Sequence, residues 1–337
     1  MLHPMRTIAP PVLLVLLVVA IAGAVHTYAS PPGGLQLPVL EREDGDARVR
    51  TGGKQYPREA VDSDEFKVSI ARPAHRVVSQ YWSIDEFVYS ILPPQDVVAV
   101  SQSAYLEEIS NAYQSVQQFK PVIATDVERV VALDPDLMLV SREGRADYTS
   151  LARSSGVPVY RMDTSFETLD QIERNIGLVG YLTGQDESAA REASRFHAAI
   201  GKAVSMKPAG SGKPRILGLG GPNSYGRKTL FQDIVAKLGG INVGAENGLV
   251  GYDSVNFEQI VRWDPEWIIA GAKTGSTKQV LANLMSDPAI SLTQAARNGH
   301  IVVLDNRVFL PMSPYTSILV QAIAEAVYGQ EHAGNRP

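Results

Sequence analysis

Cysteine is absent from all 337 residues. That excludes disulfides, thiolate metal centres and a cysteine nucleophile, and it leaves no lipid-modified cysteine as an anchor. There is no excess of basic residues either. The net charge is −5, which gives no electrostatic footprint for nucleic acid. The histidines stand apart at His3, His26, His75, His197, His300 and His332, without metal-ligand spacing, so no metal site is expected. Gly-x-Ser-x-Gly, His-Glu-x-x-His and a P-loop are missing too. Asp253, Asp305 and the arginines form no pair with diagnostic spacing, so no catalytic residue and no cofactor are assigned. The glycine-rich GLGGPNSYG after Arg215 lacks the lysine-serine ending of a phosphate cradle, and its proline would break one.

What is present begins with an export segment. Arg6 precedes an uncharged apolar run from Ile8 to Val25, and Ala22-Gly23-Ala24 offers a small-x-small cleavage site. Residues 1–29 are expected to be a signal peptide or, if uncleaved, a membrane anchor long enough to span a bilayer. The following PPGG and EREDGDARVR have proline, glycine and charge without periodicity, and residues 30–65 read as a flexible tether.

Beyond the tether the chain repeats itself. VERVVALDPDLMLV (Val127–Val140) and FEQIVRWDPEWIIA (Phe257–Ala270) align without a gap, placing Glu128 with Glu258 and Asp134-Pro135 with Asp264-Pro265. Arg76-Val77-Val78 matches Arg215-Ile216-Leu217 upstream, and GVPVYRMD matches GHIVVLD downstream. Matches in one order imply a duplicated α/β unit. Between the copies, Ala189, Ala193, Phe196, Ile200 and Val204 recur at steps of three or four. This spacing predicts one amphipathic helix over residues 186–206, about 30 Å long.

Within the first copy, KVSIARP and RVVSQ are expected to form a strand pair. Ser83, with Glu86 three residues on, is expected to cap the next helix. In a parallel α/β sheet, ligands bind beyond the carboxyl ends of the strands. That rule selects Gln80, Tyr81 and Trp82, then Tyr105, then Arg142 and Arg145 in the first copy. In the second it selects Tyr225, Tyr252 and Arg307, with Phe309, Met312 and Tyr315 as an exposed apolar loop. Guanidinium groups suit ligand carboxylates, and the aromatic excess suits a bulky organic metal chelate. Thr125-x-x-Glu128 is also expected to act as a capping box.

Through RVVSQYWSIDEFVYSI, ERVVALDPDLMLVS, SGVPVYRMD, EQIVRWDPEWIIAG and HIVVLDN, the chain resembles the substrate-binding proteins of ABC importers for ferric siderophores, haem and cobalamin. The resemblance spans about residues 66 to 329. It implies an α/β fold of two Rossmann-like lobes with small parallel sheets (residues 66–185 and 207–330) joined by one long α-helix (residues 186–206). It further implies a metal chelate held between the lobes, limited closure, a monomer outside the cytoplasm, and no enzyme. In this family, glutamates opening the two repeated helices dock on permease arginines, and they map to Glu128 and Glu258. A tetrapyrrole or metal chelatase, or a ligand-sensing signalling module on the same fold, is the alternative.

Overall fold

The computed structural model describes residues 55–329. The sequence predicts a tether up to residue 65, but the ordered fold starts earlier. β1 (Arg58–Val61) pairs antiparallel with β2 (Lys67–Ile70), which therefore does not pair with the first sheet strand. A charged guanidinium, hidden in the sequence, makes this hairpin part of the fold. Arg58 is buried between the rings of Tyr56 and Tyr181, 4.8 and 4.9 Å from their centroids, and bonds Asp186 at 2.7 and 3.0 Å.

The N-lobe follows in alternating order. It comprises β3 (Val77–Ser79), α1 (Trp82–Ile91), β4 (Val97–Val100), α2 (Tyr113–Phe119), β5 (Val122–Ile123), α3 (Val127–Val131), β6 (Leu137–Ser141), α4 (Ala146–Ser154), β7 (Val159–Met162) and α5 (Leu169–Thr183). Its five strands lie parallel in the order β5-β4-β3-β6-β7. A capping box between Thr168 and Gln171 starts α5, and Gly184 in the left-handed region stops it. Two residues later α6 (Asp186–Ser205) begins, a helix of 20 residues.

The C-lobe has β8 (Arg215–Gly220), β9 (Asn223–Tyr225), α7 (Leu230–Lys237), β10 (Ile241–Asn242), α8 (Val243–Glu246), β11 (Tyr252–Ser254), α9 (Phe257–Trp263), β12 (Trp267–Ala272), α10 (Thr277–Ser286), α11 (Gln294–Arg297), β13 (Ile301–Asp305), α12 (Asn306–Phe309) and α13 (Thr316–Tyr328). The sheet runs β11-β9-β8-β12-β13, with β10 also on β8. Here β8, β10, β12 and β13 are parallel, β9 runs antiparallel to β8, and the edge strand β11 runs antiparallel to β9.

The duplicated unit is visible in its hydrogen bonds. The Arg76 guanidinium donates to the carbonyls of Leu133 and Asp134, and the Arg215 guanidinium donates to those of Trp263 and Asp264. Asp134 and Asp264 both take left-handed φ values, 52° and 44°. Each repeated helix is thus followed by a left-handed aspartate ahead of a proline, and the carbonyls there are held by an equivalent arginine, Arg76 just before β3 and Arg215 at the start of β8.

Period-two alternation in the strands divides the core. Val77, Leu139, Ile216 and Ile269 face inward and join α1, α5, α6, α7 and α13 in one cluster that runs through both lobes. Val78, Met138 and Val140 form a separate outer core in the N-lobe, and Leu217, Ile268 and Ala270 form one in the C-lobe. Helix α6 contributes Ala189, Phe196 and Ala203 to the shared cluster and packs on α5 and α13. It is not the only bond between lobes: Asp233 accepts from the Leu169 backbone at 2.9 Å, and Lys237 pairs with Asp170 at 2.9 Å.

Candidate functional site

The aromatic residues selected from the sequence sort into two clusters, one in each lobe. In the N-lobe, β3 ends at Ser79 and α1 starts at Trp82, so Gln80 and Tyr81 form the turn. The Tyr81 and Trp82 rings lie 6.2 Å apart at 44°, both half-buried. The Gln80 side chain lies against Gly144, whose Cβ, if it had one, would stand 3.0 Å from Gln80 Oε1.

In the C-lobe, Tyr225 and Tyr252 are register partners on the antiparallel edge strands, with rings 5.3 Å apart at 77°. Phe309 meets Tyr225 at 5.6 Å, and Phe231 meets it at 5.2 Å. Glycines of β8 and β12 make room for this cluster. A Cβ on Gly218 would stand 2.7 Å from Phe231, one on Gly220 2.4 Å from the Tyr225 hydroxyl, and one on Gly271 2.4 Å from Phe309. Small residues in the strands thus let large rings lie on the sheet.

Tyr252 is the exposed tip of this wall, 52% accessible. Desolvation raises its hydroxyl pKa, and Glu143, Glu167 and Tyr81 of the opposite lobe raise it further. Tyr252 thus lies on the side of the C-lobe that is turned toward Glu143, Glu167 and Tyr81.

Other expected residues sit elsewhere. Phe309 is buried and supports Tyr225 from below, because residues 306–309 fold as a short helix instead of an exposed loop. Met312 is half-buried against the shared core. Tyr315 heads α13 near Glu86 and Glu192, its hydroxyl pKa pushed up by desolvation. Tyr105 is half-buried and gives its hydroxyl hydrogen to the Pro121 carbonyl at 2.6 Å. Arg145 pairs with Asp147 at the exposed start of α4, and Arg307 bonds Asp305 at 3.2 Å. Arg142 is the least committed of the three arginines, 58% exposed and 3.6 Å from Asp163.

Two expected caps are replaced. The N-cap of α1 is Tyr81, while Ser83 and Glu86 turn into the interior. Glu86 accepts from Asn111 and Ser313, and neighbouring Asp85 accepts from Ser101 at 2.5 Å. The N-cap of α3 is Asp126, and that of α9 is Asn256 within a capping box with Gln259. Glu128 and Glu258 are then equivalent residues, each two after its cap, both exposed.

Sequence reasoning missed Phe231, Asn111 and Ser313, none of which ends a strand. It also missed an apolar groove of about 470 Å³ on the outer-core side of the C-lobe, between the Gly221-Pro222 turn, Phe257 and Val280.

Residues 77–308 match the family described as periplasmic binding protein. The chain belongs to that family. Over 296 residues it is 25% identical to a cobalamin-binding protein of Halobacterium salinarum, covering 86% of this chain and 77% of that protein. Over 204 residues it is 28% identical to the vitamin B12-binding protein of Salmonella typhi, covering 58% of this chain and 75% of that protein. Among solved structures, the periplasmic heme-binding protein RhuT of Roseiflexus sp. RS-1 superposes with a TM-score of 0.63 at 22% identity, over 76% of this chain and 98% of RhuT. The heme binding protein HmuT gives 0.63 at 18% identity, over 86% of this chain and 96% of HmuT. These structures share the two-lobed fold expected from the sequence.

Among the described residues no helix is long and apolar enough to cross a membrane, and no group of three His, Cys, Asp or Glu side chains could hold a metal ion. The export segment and most of the expected tether lie outside the described residues.

Proposed function

We propose that this periplasmic binding protein captures a bulky metal chelate, foremost a corrinoid, between its lobes outside the cytoplasm and delivers it to an ABC importer permease. The observation that carries the reading is the pair of aromatic walls. Tyr81 and Trp82 form one wall, and Tyr252, backed by Tyr225 and Phe309, forms the other, with Tyr81 near enough to act on the Tyr252 hydroxyl across the lobes. Large, stiff rings offer contact area at small entropic cost and suit a macrocycle with an apolar periphery. Arg142 stands at the rim, where its loose pair with Asp163 leaves it available to a carboxylate or phosphate of the ligand. The relatives named for cobalamin and vitamin B12 put corrinoids ahead of haem and ferric siderophores.

Glu128 and Glu258 are the proposed docking residues. They occupy equivalent places on exposed helix starts, one per lobe, and a two-fold permease would offer each an equivalent basic site. The lobes differ beside them: Val127 is 6% exposed, whereas Phe257 is 43% exposed and borders the apolar groove. An uncleaved N-terminal segment would hold the protein at the membrane.

Mass spectrometry of whatever accompanies the protein exported and purified from its own host tests this reading. A corrinoid, tetrapyrrole or siderophore in a one-to-one ratio is expected. A co-purifying peptide, sugar or bare metal would overturn it. Chelate recovered unaltered after long incubation is expected as well, since capture involves no turnover.

A further inference from the structure

Glu86 occupies an unusual position. It is wholly buried near the start of α1, four residues after Trp82 of the cleft wall. One carboxylate oxygen accepts from the Asn111 backbone at 3.1 Å and from Asn111 Nδ2 at 2.8 Å. The other accepts from Ser313 Oγ at 2.6 Å. Asn111 belongs to the N-lobe and Ser313 to the C-lobe. Asn111 Nδ2 also donates to the Arg307 carbonyl at 2.9 Å, a second bond across the lobes, and Ser313 Oγ accepts from Tyr315 N at 3.2 Å.

Among the described residues no cation pairs with this carboxylate. The titratable groups around it are Asp85 on its own helix and Tyr315 at the head of α13, neither of which supplies a positive charge, and burial itself disfavours a charge on Glu86. A buried carboxylate held only by neutral donors costs more free energy than an apolar residue in its place. As a tie within one lobe it would be poorly explained. As a bridge it ties segment 80–86, which bears Tyr81 and Trp82, to segment 307–315, which bears the Phe309 ring that backs Tyr225.

We infer that Glu86 is the positioning residue of the cleft: its hydrogen bonds to Asn111 and Ser313 hold the ligand-bearing edges of the two lobes at a fixed spacing before any ligand arrives. Binding then requires little closure, and the apparent affinity of the free protein carries little penalty for an unpopulated competent state.

The absence of cysteine makes the test direct. Spin labels on Ser150→Cys of α4 and Ala282→Cys of α10, both exposed, report the distance between lobes without background labelling. In ligand-free protein, Glu86→Ala should broaden and lengthen the distance distribution, and Ser313→Ala, which removes the crossing bond to Glu86 along with the local bond from Tyr315 N, should do the same to a smaller degree. Glu86→Gln can accept from Asn111 and donate to Ser313, so it should restore the unsubstituted distribution. If cyanocobalamin binds the unsubstituted protein, Glu86→Ala should weaken it about tenfold and Glu86→Gln little.

A role within the N-lobe alone would lower the melting temperature of Glu86→Ala without moving the labels. That result, or an unchanged distribution in folded Ser313→Ala, would overturn the inference. If Glu86→Ala does not fold, Ser313→Ala decides. The inference stands apart from the ligand assignment, because the distances are read without ligand. Failure of the unsubstituted protein to bind cyanocobalamin bears on the assignment only.

Discussion

Asp85 and Glu86 stand side by side at the start of α1, both wholly buried, and burial raises each pKa to about 7. A carboxyl whose folded pKa exceeds its unfolded value binds its proton more tightly in the folded state. Its contribution to stability is therefore full below the unfolded value, 3.8 for Asp85 and 4.5 for Glu86, and is lost as pH rises through about 7. Asp64, Asp136 and Asp264 have lowered pKa values and act in the opposite sense, losing their contribution as the solution becomes more acid than the usual carboxylate range. The melting temperature should therefore fall between pH 5 and pH 8. Asp85→Asn, which still accepts from the Ser101 backbone, should flatten that fall; an unchanged slope would show that Asp85 is not protonated in the fold.

Arg58 gives a second prediction at this scale. Its guanidinium is enclosed by Tyr56 and Tyr181 and bonded to Asp186 and the Tyr181 carbonyl. Arg58→Ala should cost about 3 kcal/mol in denaturant unfolding, because it leaves polar partners unpaired at a largely buried site. A loss below about 1 kcal/mol would mean that the hairpin contributes little. This residue was illegible in the sequence. It sits in a stretch rich in proline, glycine and charge, and only its distant partners turn that composition into structure.

At the scale of elements, the duplicated helix-Asp-Pro-strand unit was legible, since it depends on local signals: apolar period, a left-handed stop and a following proline. The two aspartates nevertheless differ. Asp264 accepts from Gln294 through both its backbone and side-chain nitrogens, whereas the described residues show no such bond for Asp134. Relief of left-handed strain should make Asp134→Gly neutral to stabilising by about 0.5 kcal/mol, while Asp264→Gly should destabilise by about 1 kcal/mol. Equal effects in thermal unfolding would contradict this.

The caps of α1 and α3 were misread because serine and threonine three residues before a glutamate have the same pattern whether or not the chain turns there. The turn comes two residues before Ser83 in α1 and one residue after Thr125 in α3. The C-lobe aromatic cluster was legible in its members more than in its geometry. The strand-end rule selected Tyr225 and Tyr252, but they lie on the antiparallel-paired strands β9 and β11, Tyr252 at the start of its strand, and Phe231, in the first turn of a helix, joins them only through packing over Gly218.

At the scale of the whole molecule, α6, the shared inner core and the contacts at Asp233, Lys237 and Glu86 all cross between lobes. A body joined in this way should close little, and small-angle scattering with and without ligand should show nearly the same radius of gyration. A clear compaction would contradict it.

Docking belongs to this scale too. Glu128→Arg together with Glu258→Arg should abolish uptake into vesicles carrying the cognate permease, while ligand affinity and melting temperature change little, because neither glutamate caps its helix. Normal transport by the double variant would refute the docking role, and loss of ligand binding would place these glutamates in the binding site.

The most direct test of capture between the aromatic walls is titration of the purified protein with cyanocobalamin, haemin and a ferric siderophore while tryptophan emission is followed. Trp82 belongs to the proposed cleft wall, whereas Trp263 packs on the outer core of the C-lobe and Trp267 is buried against His300 at 3.8 Å, so a ligand in the cleft should quench chiefly Trp82. One of the three, with cyanocobalamin expected, should quench the emission and saturate at one equivalent. Trp82→Phe should remove most of the signal, and Tyr252→Ala should weaken binding roughly tenfold through loss of one large aromatic contact. No saturable response to any of the three, or one that is identical in Trp82→Phe and Tyr252→Ala, would contradict the account.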